Sequence, residues 1–254
     1  MSALDNGSLA LAGQCALITG AARRIGAMLA IRLHAAGANV AIHYRRSADD
    51  ARRLAARLNA ARADSAEIFQ ADLAETGGLA ALVAAVVAWS GRLDVLVNNA
   101  SAFHRTPLGR ISESDWEALV GSNLKAPLFL SQAAWPHLRD ARGCIVNLVD
   151  IHSRRPLREY SVYGAAKAGL GMLTRSLAKE MAPEVRVNGI APGAILWPEN
   201  DMSDAAKKDI LRQIPLGRAG TPDDLADCLL YLVRDARYVT GQIIAVDGGR
   251  SLGW

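Results

Sequence analysis

Residues 15–26 read Cys15-Ala16-Leu17-Ile18-Thr19-Gly20-Ala21-Ala22-Arg23-Arg24-Ile25-Gly26. Four apolar residues, a glycine turn and a second glycine opening an Ala- and Leu-rich run describe a buried strand that turns tightly into a helix. Backbone N–H groups at such a helix N-terminus can meet a pyrophosphate, aided by the positive end of the helix dipole. Outward from this turn the same rhythm repeats almost to the C-terminus. Strands are predicted at Cys15–Ile18, Asn39–Ile42, Ala66–Phe69, Val95–Val97, Cys144–Leu148, Val185–Ile190 and Ile243–Val246, each apolar enough for burial on both faces. Helices are predicted at Gly26–Ala36, Asp49–Ala61, Gly77–Trp89, Leu124–Leu138, Tyr160–Met181 and Pro222–Leu232. This alternation indicates an α/β fold, a doubly wound parallel sheet with helices on both faces.

The chain has 254 residues, 51% hydrophobic and 21% charged, which excludes a disordered or collagen-like polymer and suits one large α/β domain. Residues 1–12 read as a loose leader and 13–254 as the domain. Within it, 194–216 breaks the rhythm with Pro198, Asn200, Asp201 and Pro215, as a loop with a short helix covering a site would. Thr221, Pro222 and Asp223 supply a cap, a first-turn proline and an acid for the last helix. The longest nearly uncharged stretch, Gly77 to Ser90, is too short to cross a bilayer. Cys15, Cys144 and Cys228 lie far apart, without metal or disulfide spacing, and no basic region opens the chain. A cytoplasmic protein without bound metal is expected. The net charge of +4 is spread over helices and interleaved with acids, unlike a nucleic-acid surface.

The second strand ends in His43-Tyr44-Arg45-Arg46-Ser47, where dinucleotide sheets that take NAD place a carboxylate on the ribose. Two arginines and a hydroxyl there attract a 2′-phosphate, so the expected cofactor is NADPH. Asp72 and Leu73 follow the third strand, and Asn98-Asn99-Ala100 the fourth, at the carboxyl ends where a nucleotide crosses the sheet. Tyr163 and Lys167 are four apart on a helix and share a face. An ammonium near the phenol is expected to draw its pKa down into a range useful for proton transfer.

The turn Gly20-x-x-x-Arg24-x-Gly26, with Tyr163-x-x-x-Lys167, Gly121-Ser122-Asn123 and Pro192-Gly193, resembles the short-chain dehydrogenases/reductases from Gly13 to Gly249. That resemblance implies a Rossmann-like sheet, a homotetramer and a catalytic set of Asn123, Tyr163 and Lys167. It also implies cofactor contacts at Gly20, Arg24, Ile25, Asp72, Leu73, Asn99, Ala100, Ser101, Pro192, Gly193 and Ile195. Two positions depart from the general pattern: Arg24 replaces the middle glycine, and Asp150 stands thirteen residues before the tyrosine, where most members carry a serine. A carboxylate repels a developing alkoxide, yet accepts hydrogen bonds from an amidine-like ring edge. Asp150, Arg24 and Asn99-Ala100-Ser101-Ala102-Phe103 together resemble the pteridine reductases of that family. By that resemblance Arg24, Ser101, Phe103, Asp150 and Tyr163 bind a pterin or folate, with Phe103 stacking on the ring and Asp150, Tyr163 and Lys167 moving the proton. The alternatives are a carbonyl reductase of the 3-oxoacyl thioester type and a non-catalytic NADP-binding redox sensor.

Overall fold

The computed structural model describes residues 9–197 and 203–253. Residues 1–8 of the expected leader, and 198–202 with Pro198, Asn200 and Asp201 of the expected covering loop, lie outside the described residues. Seven strands, β1 (Cys15–Ile18), β2 (Asn39–Tyr44), β3 (Ala66–Gln70), β4 (Val95–Asn98), β5 (Cys144–Leu148), β6 (Arg186–Pro192) and β7 (Ile243–Val246), form one sheet. The order is β3-β2-β1-β4-β5-β6-β7 and every pairing is parallel. It is a Rossmann-like α/β sheet. Strand order reverses between β1 and β4, where Ile18 pairs with Val97, and ligands bind outside the carboxyl ends at such a switch point.

Between the strands lie α1 (Arg24–Ala35), α2 (Ala48–Ala61), α3 (Leu79–Ser90), α4 (Glu113–Val120), α5 (Ala126–Ala141), α6 (Ser161–Glu180), α7 (Asp204–Arg212) and α8 (Pro222–Leu230). Side chains alternate across each strand, so neighbouring residues enter different layers. Ala16, Ile18, Val40 and Ile42 pack with Leu29 and Leu33 of α1 and Leu225 and Leu229 of α8. Cys15, Leu17, Ala41 and Leu96 face the other way, onto α3, α5 and α6 through residues such as Val83, Leu130 and Leu177. Both layers are closed, which is why these strands carry almost no polar residues before their carboxyl ends.

The structure differs from the reading of the sequence in several places, among them β2, which runs on to Tyr44 rather than ending at Ile42. Leu9–Ala12 are not loose: Leu11 is buried in the core and its N–H donates to the Ala36 carbonyl at 2.8 Å. Helix α4 was not anticipated. Its signal is Ser112-Glu113-Ser114-Asp115, a full capping box in which Ser112 Oγ accepts the Asp115 N–H and Asp115 accepts the Ser112 N–H. A single π-helical turn, Gly121–Lys125, then joins α4 to α5, so the periodicity of the run shifts midway and obscures one continuous helical segment. Strand β6 runs on to Pro192, two residues beyond its expected end.

Candidate active site

The turn after β1 is built for close approach. Gly20 has φ +61°, and a Cβ on Gly26 would collide with the Gly20 carbonyl. Arg24 occupies the middle position with φ 54°, the left-handed conformation that a glycine would adopt without strain. A side chain there costs about 1–2 kcal/mol, so the guanidinium is retained against a local penalty. Its Nη2 reaches the Trp197 carbonyl at 3.4 Å, linking the turn to the segment that follows β6. Thr19, which the sequence reading passed over, locks the turn to β4: its Oγ1 accepts the N–H groups of Asn99 and Ala100, each at 2.9 Å. Asn99 Nδ2 donates to the Thr19 and Gly20 carbonyls. The cradle fits a pyrophosphate, with the N-terminus of α1 directed at it.

Around β2 the expected patch divides. Arg45 and Arg46 are exposed and Ser47 is half-buried at the N-terminus of α2, with its hydroxyl not used as a cap. Arg45 Nη1 lies 3.9 Å from Asp72, at the end of the adjacent strand. These groups fit a ribose 2′-phosphate. His43 and Tyr44 do not belong to the patch, because strand alternation turns both side chains into the protein. Tyr44 packs in the core, as Leu73 does on the opposite face. His43 is 2% exposed; its Nδ1 accepts the Gly20 N–H at 3.1 Å and its Nε2 donates to the Ala71 carbonyl at 3.1 Å. It is a peg beneath the turn.

Burial pushes the His43 ring down to about pKa 4, against weaker opposing effects of the Ala71 carbonyl and Asp72. From pH 6.5 down to about 4 the unfolded chain takes up a proton that the folded ring refuses, so stability falls as pH falls. The full loss is about 3 kcal/mol. Denaturant unfolding at pH 7 and near pH 4 should therefore show a smaller acid loss in His43→Gln than in the wild type; equal losses would mean that His43 is not acid-sensitive.

A cleft of about 300 Å³ opens beside this turn. Arg24, Ser101, Phe103, Asp150, Tyr163 and Lys167 all line it, drawn from four separate segments. Ile25, Asn99, Pro192, Gly193 and Ile195 also border it, although the Ile195 side chain packs into the core. Asn123 does not. It is fully buried in the π-helical turn, donates to the Ala102 and Leu119 carbonyls at 2.9 Å, and accepts the Ser101 hydroxyl at 2.7 Å. Its hydrogen bonds tie together Ser101, the Ala102 carbonyl and α4.

Asp150 caps a short helical turn, accepting the His152 N–H on Oδ1 at 2.8 Å, and this leaves Oδ2 to accept the Tyr163 phenol at 2.6 Å. Lys167, 2% exposed, donates to the Leu148 carbonyl at 2.7 Å and lies 5.8 Å from the centroid of the Tyr163 ring. The expectation that lysine lowers the phenol's pKa is overturned. Burial and the Asp150 carboxylate hold Tyr163 well above its ordinary value, because the carboxylate touches the phenol while the ammonium does not. Burial in turn brings Lys167 down to about 8, opposed by Asp150, which leaves it charged at neutral pH.

Phe103 is 51% exposed, stacks on Tyr160 at 4.5 Å with planes 15° apart, and meets Tyr163 edge-on at 4.8 Å. One of its faces is therefore covered by Tyr160, a residue the sequence reading did not single out. His152 is a further unanticipated lining residue.

A family model described as enoyl-(acyl carrier protein) reductase matches residues 20–251. The chain belongs to the short-chain dehydrogenases/reductases. It is an oxidoreductase of that family, which implies a nicotinamide cofactor at the glycine cradle. It is 42% identical to pteridine reductase 1 of Leishmania tarentolae over 278 residues, covering 93% of this chain and 96% of the relative. It is also 39% identical to a 3-oxoacyl-[acyl-carrier-protein] reductase of Staphylococcus aureus over 238 residues, covering 92% and 96%. A solved Sinorhizobium meliloti chain described as a short-chain alcohol dehydrogenase superposes with a TM-score of 0.92 at 33% identity, covering 98% of this chain and all of the other. Among the described residues no helix is long and apolar enough to cross a membrane, and no cluster of ligating side chains is disposed to hold a metal.

Proposed function

We propose that this short-chain reductase is an NADPH-dependent pteridine reductase that takes dihydropterins or dihydrofolate to their tetrahydro forms. The observation that carries this reading is Asp150, inside the cleft and hydrogen-bonded to Tyr163. An anionic carboxylate suits a ring with N–H and amino edges and disfavours a carbonyl on its way to an alkoxide. Likeness to the Leishmania pteridine reductase supports it, whereas likeness to the 3-oxoacyl reductase supports the family alone.

When bound, NADPH supplies a hydride for an electron-poor ring carbon. The protein's own groups do the rest. Phe103 offers an aromatic surface for the ring, and Arg24 places a guanidinium at the edge nearest the phosphate cradle. Asp150 orients the phenol and accepts a ring N–H or a water O–H on a lone pair that the His152 N–H and the phenol leave over. Tyr163 gives its proton to the ring nitrogen next to the reduced carbon, and the Lys167 ammonium offsets the negative charge left on the phenolate. A water on Asp150 returns the proton to Tyr163 from solvent.

The test is oxidation of NADPH in the presence of dihydrobiopterin, dihydromonapterin, dihydrofolate or an acetoacetyl thioester. Turnover of at least one dihydropterin is expected, and activity confined to the thioester would overturn the reading. The cofactor preference has its own test. Replacing Arg45 and Arg46 together by alanine should raise KM for NADPH about tenfold or more, the worth of one or two charge-assisted phosphate contacts, and affect NADH far less. Equal shifts for both cofactors would remove the pair from 2′-phosphate recognition.

A further inference from the structure

The segment after β4, which carries Phe103 into the cleft, is clipped to the segment that opens α6. Thr106, 1% exposed, donates its N–H to the Glu159 carbonyl at 2.6 Å, and Arg105 Nη1 pairs with the Glu159 carboxylate at 3.4 Å. Glu159 takes φ 67°, the left-handed region that a residue with a Cβ enters only against steric resistance. Such a conformation persists where the surrounding contacts over-determine it. The next residue, Tyr160, is anchored at the first turn of α6: its carbonyl accepts the Gly164 N–H at 2.8 Å. Its ring lies on Phe103, with centroids 4.5 Å apart and planes 15° apart.

Phe103 borders the cleft and Tyr160 does not. Tyr160 therefore covers the face of Phe103 that is turned away from the substrate. A phenyl ring that is 51% exposed has a broad choice of tilt about its terminal torsion unless its neighbours restrict it. Here Tyr160 fixes the plane from behind, and Tyr163 meets the same ring edge-on at 4.8 Å. Stacking depends on plane and offset, so a wall already held in one orientation spares a flat ligand the cost of ordering it.

We propose that Tyr160 is a positioning residue for substrate binding, holding Phe103 in the plane on which a flat heteroaromatic ring stacks, with the Glu159 corner clamping the two segments together. The inference rests on the pteridine reading for the identity of that ring, but not for the wall. Tyr160 acts through Phe103, and the proton-transfer bonds of Asp150, Tyr163 and Lys167 do not involve it.

The experiment is a double-mutant cycle on dihydrobiopterin reduction, with the wild type, Tyr160→Leu, Phe103→Leu and the double variant, and with Tyr160→Phe beside them. Tyr160→Leu should raise KM for dihydrobiopterin about tenfold, the upper range for an aromatic pair, while kcat and KM for NADPH stay within about twofold. Tyr160→Phe keeps the ring and should restore most of the loss. In the Phe103→Leu background, Tyr160→Leu should have little further effect, because no ring is left to hold. An unchanged KM, a loss carried by kcat, or full additivity in the double variant would overturn the proposal. If Tyr160→Leu fails to fold, Tyr160→Met fills the space with a flexible chain and carries the same expectations. If the wild type reduces no dihydropterin, the pteridine reading fails by itself, and the cycle is run on the kcat/KM ratio of ethyl benzoylacetate to ethyl acetoacetate, ketones with and without a flat ring. There a fall in the ratio that Phe103→Leu abolishes supports the wall, and an unchanged ratio overturns it.

Discussion

Tyr163→Phe is expected to lower kcat about a thousandfold or more, within the range that a positioned general acid supplies, while the Kd for NADPH stays within a few-fold of the wild type. In the proposed reaction the phenol is the proton donor, and its 2.6 Å bond to Asp150 is what the phenyl ring cannot make. Asp150 keeps its second contact, the His152 N–H, so the cleft should retain its shape. Steady-state turnover together with NADPH fluorescence titration checks both halves. A variant retaining a tenth or more of the activity would mean that Tyr163 is not the acid, and that a water on Asp150 protonates the substrate unaided.

The second large effect is expected at Asp150. Asp150→Ser removes the negative charge that, with burial, holds the Tyr163 phenol high, and puts in its place a hydroxyl able to hold a carbonyl oxygen. Dihydropterin turnover should drop by two to three orders of magnitude, roughly the effect of losing an oriented proton-transfer partner, and turnover of an acetoacetyl thioester should rise relative to it. Because the hydrogen bonds of Asp150 run to the Tyr163 phenol and the His152 N–H rather than to the phosphate cradle, NADPH affinity should change little. The quantity to measure is the kcat/KM ratio of the two substrate classes in the same preparation. An unchanged ratio would remove Asp150 from substrate choice, whatever happens to the absolute rates.

The sheet was legible because both its faces are covered. Cys15–Ile18 has no polar member and Cys144–Leu148 only Asn147, next to its carboxyl end, and the glycine turn after the first of them placed the crevice. Legibility weakened wherever function depends on which way a side chain turns. His43-Tyr44-Arg45-Arg46-Ser47 looks like one basic patch when written out, but pleating sends the first two residues inward, to the turn and to the core. Asn123 occupies the family's asparagine position, yet a π-helical turn buries it behind Ser101 rather than in the cleft. Arg24 could be recognised as unusual from its neighbours, whereas its left-handed backbone could not. The behaviour of Tyr163 was misjudged for a related reason. Lysine four residues on is a local relationship visible in sequence, while the dominant contact, with Asp150 thirteen residues earlier, exists only after the strand end and the helix are brought together.

The central claim is that the Asp150 carboxylate meets a nitrogen edge of a ring lying on Phe103. A crystal structure of the protein with NADP⁺ and a dihydropterin tests it most directly. The expected result is an Asp150 oxygen within hydrogen-bond reach of a ring nitrogen, directly or through one water, with the ring stacked against Phe103 and Tyr163 beside the nitrogen to be protonated. A pterin bound away from Phe103, or an Asp150 that faces only Tyr163 and the His152 N–H with no contact to the ring, would contradict it.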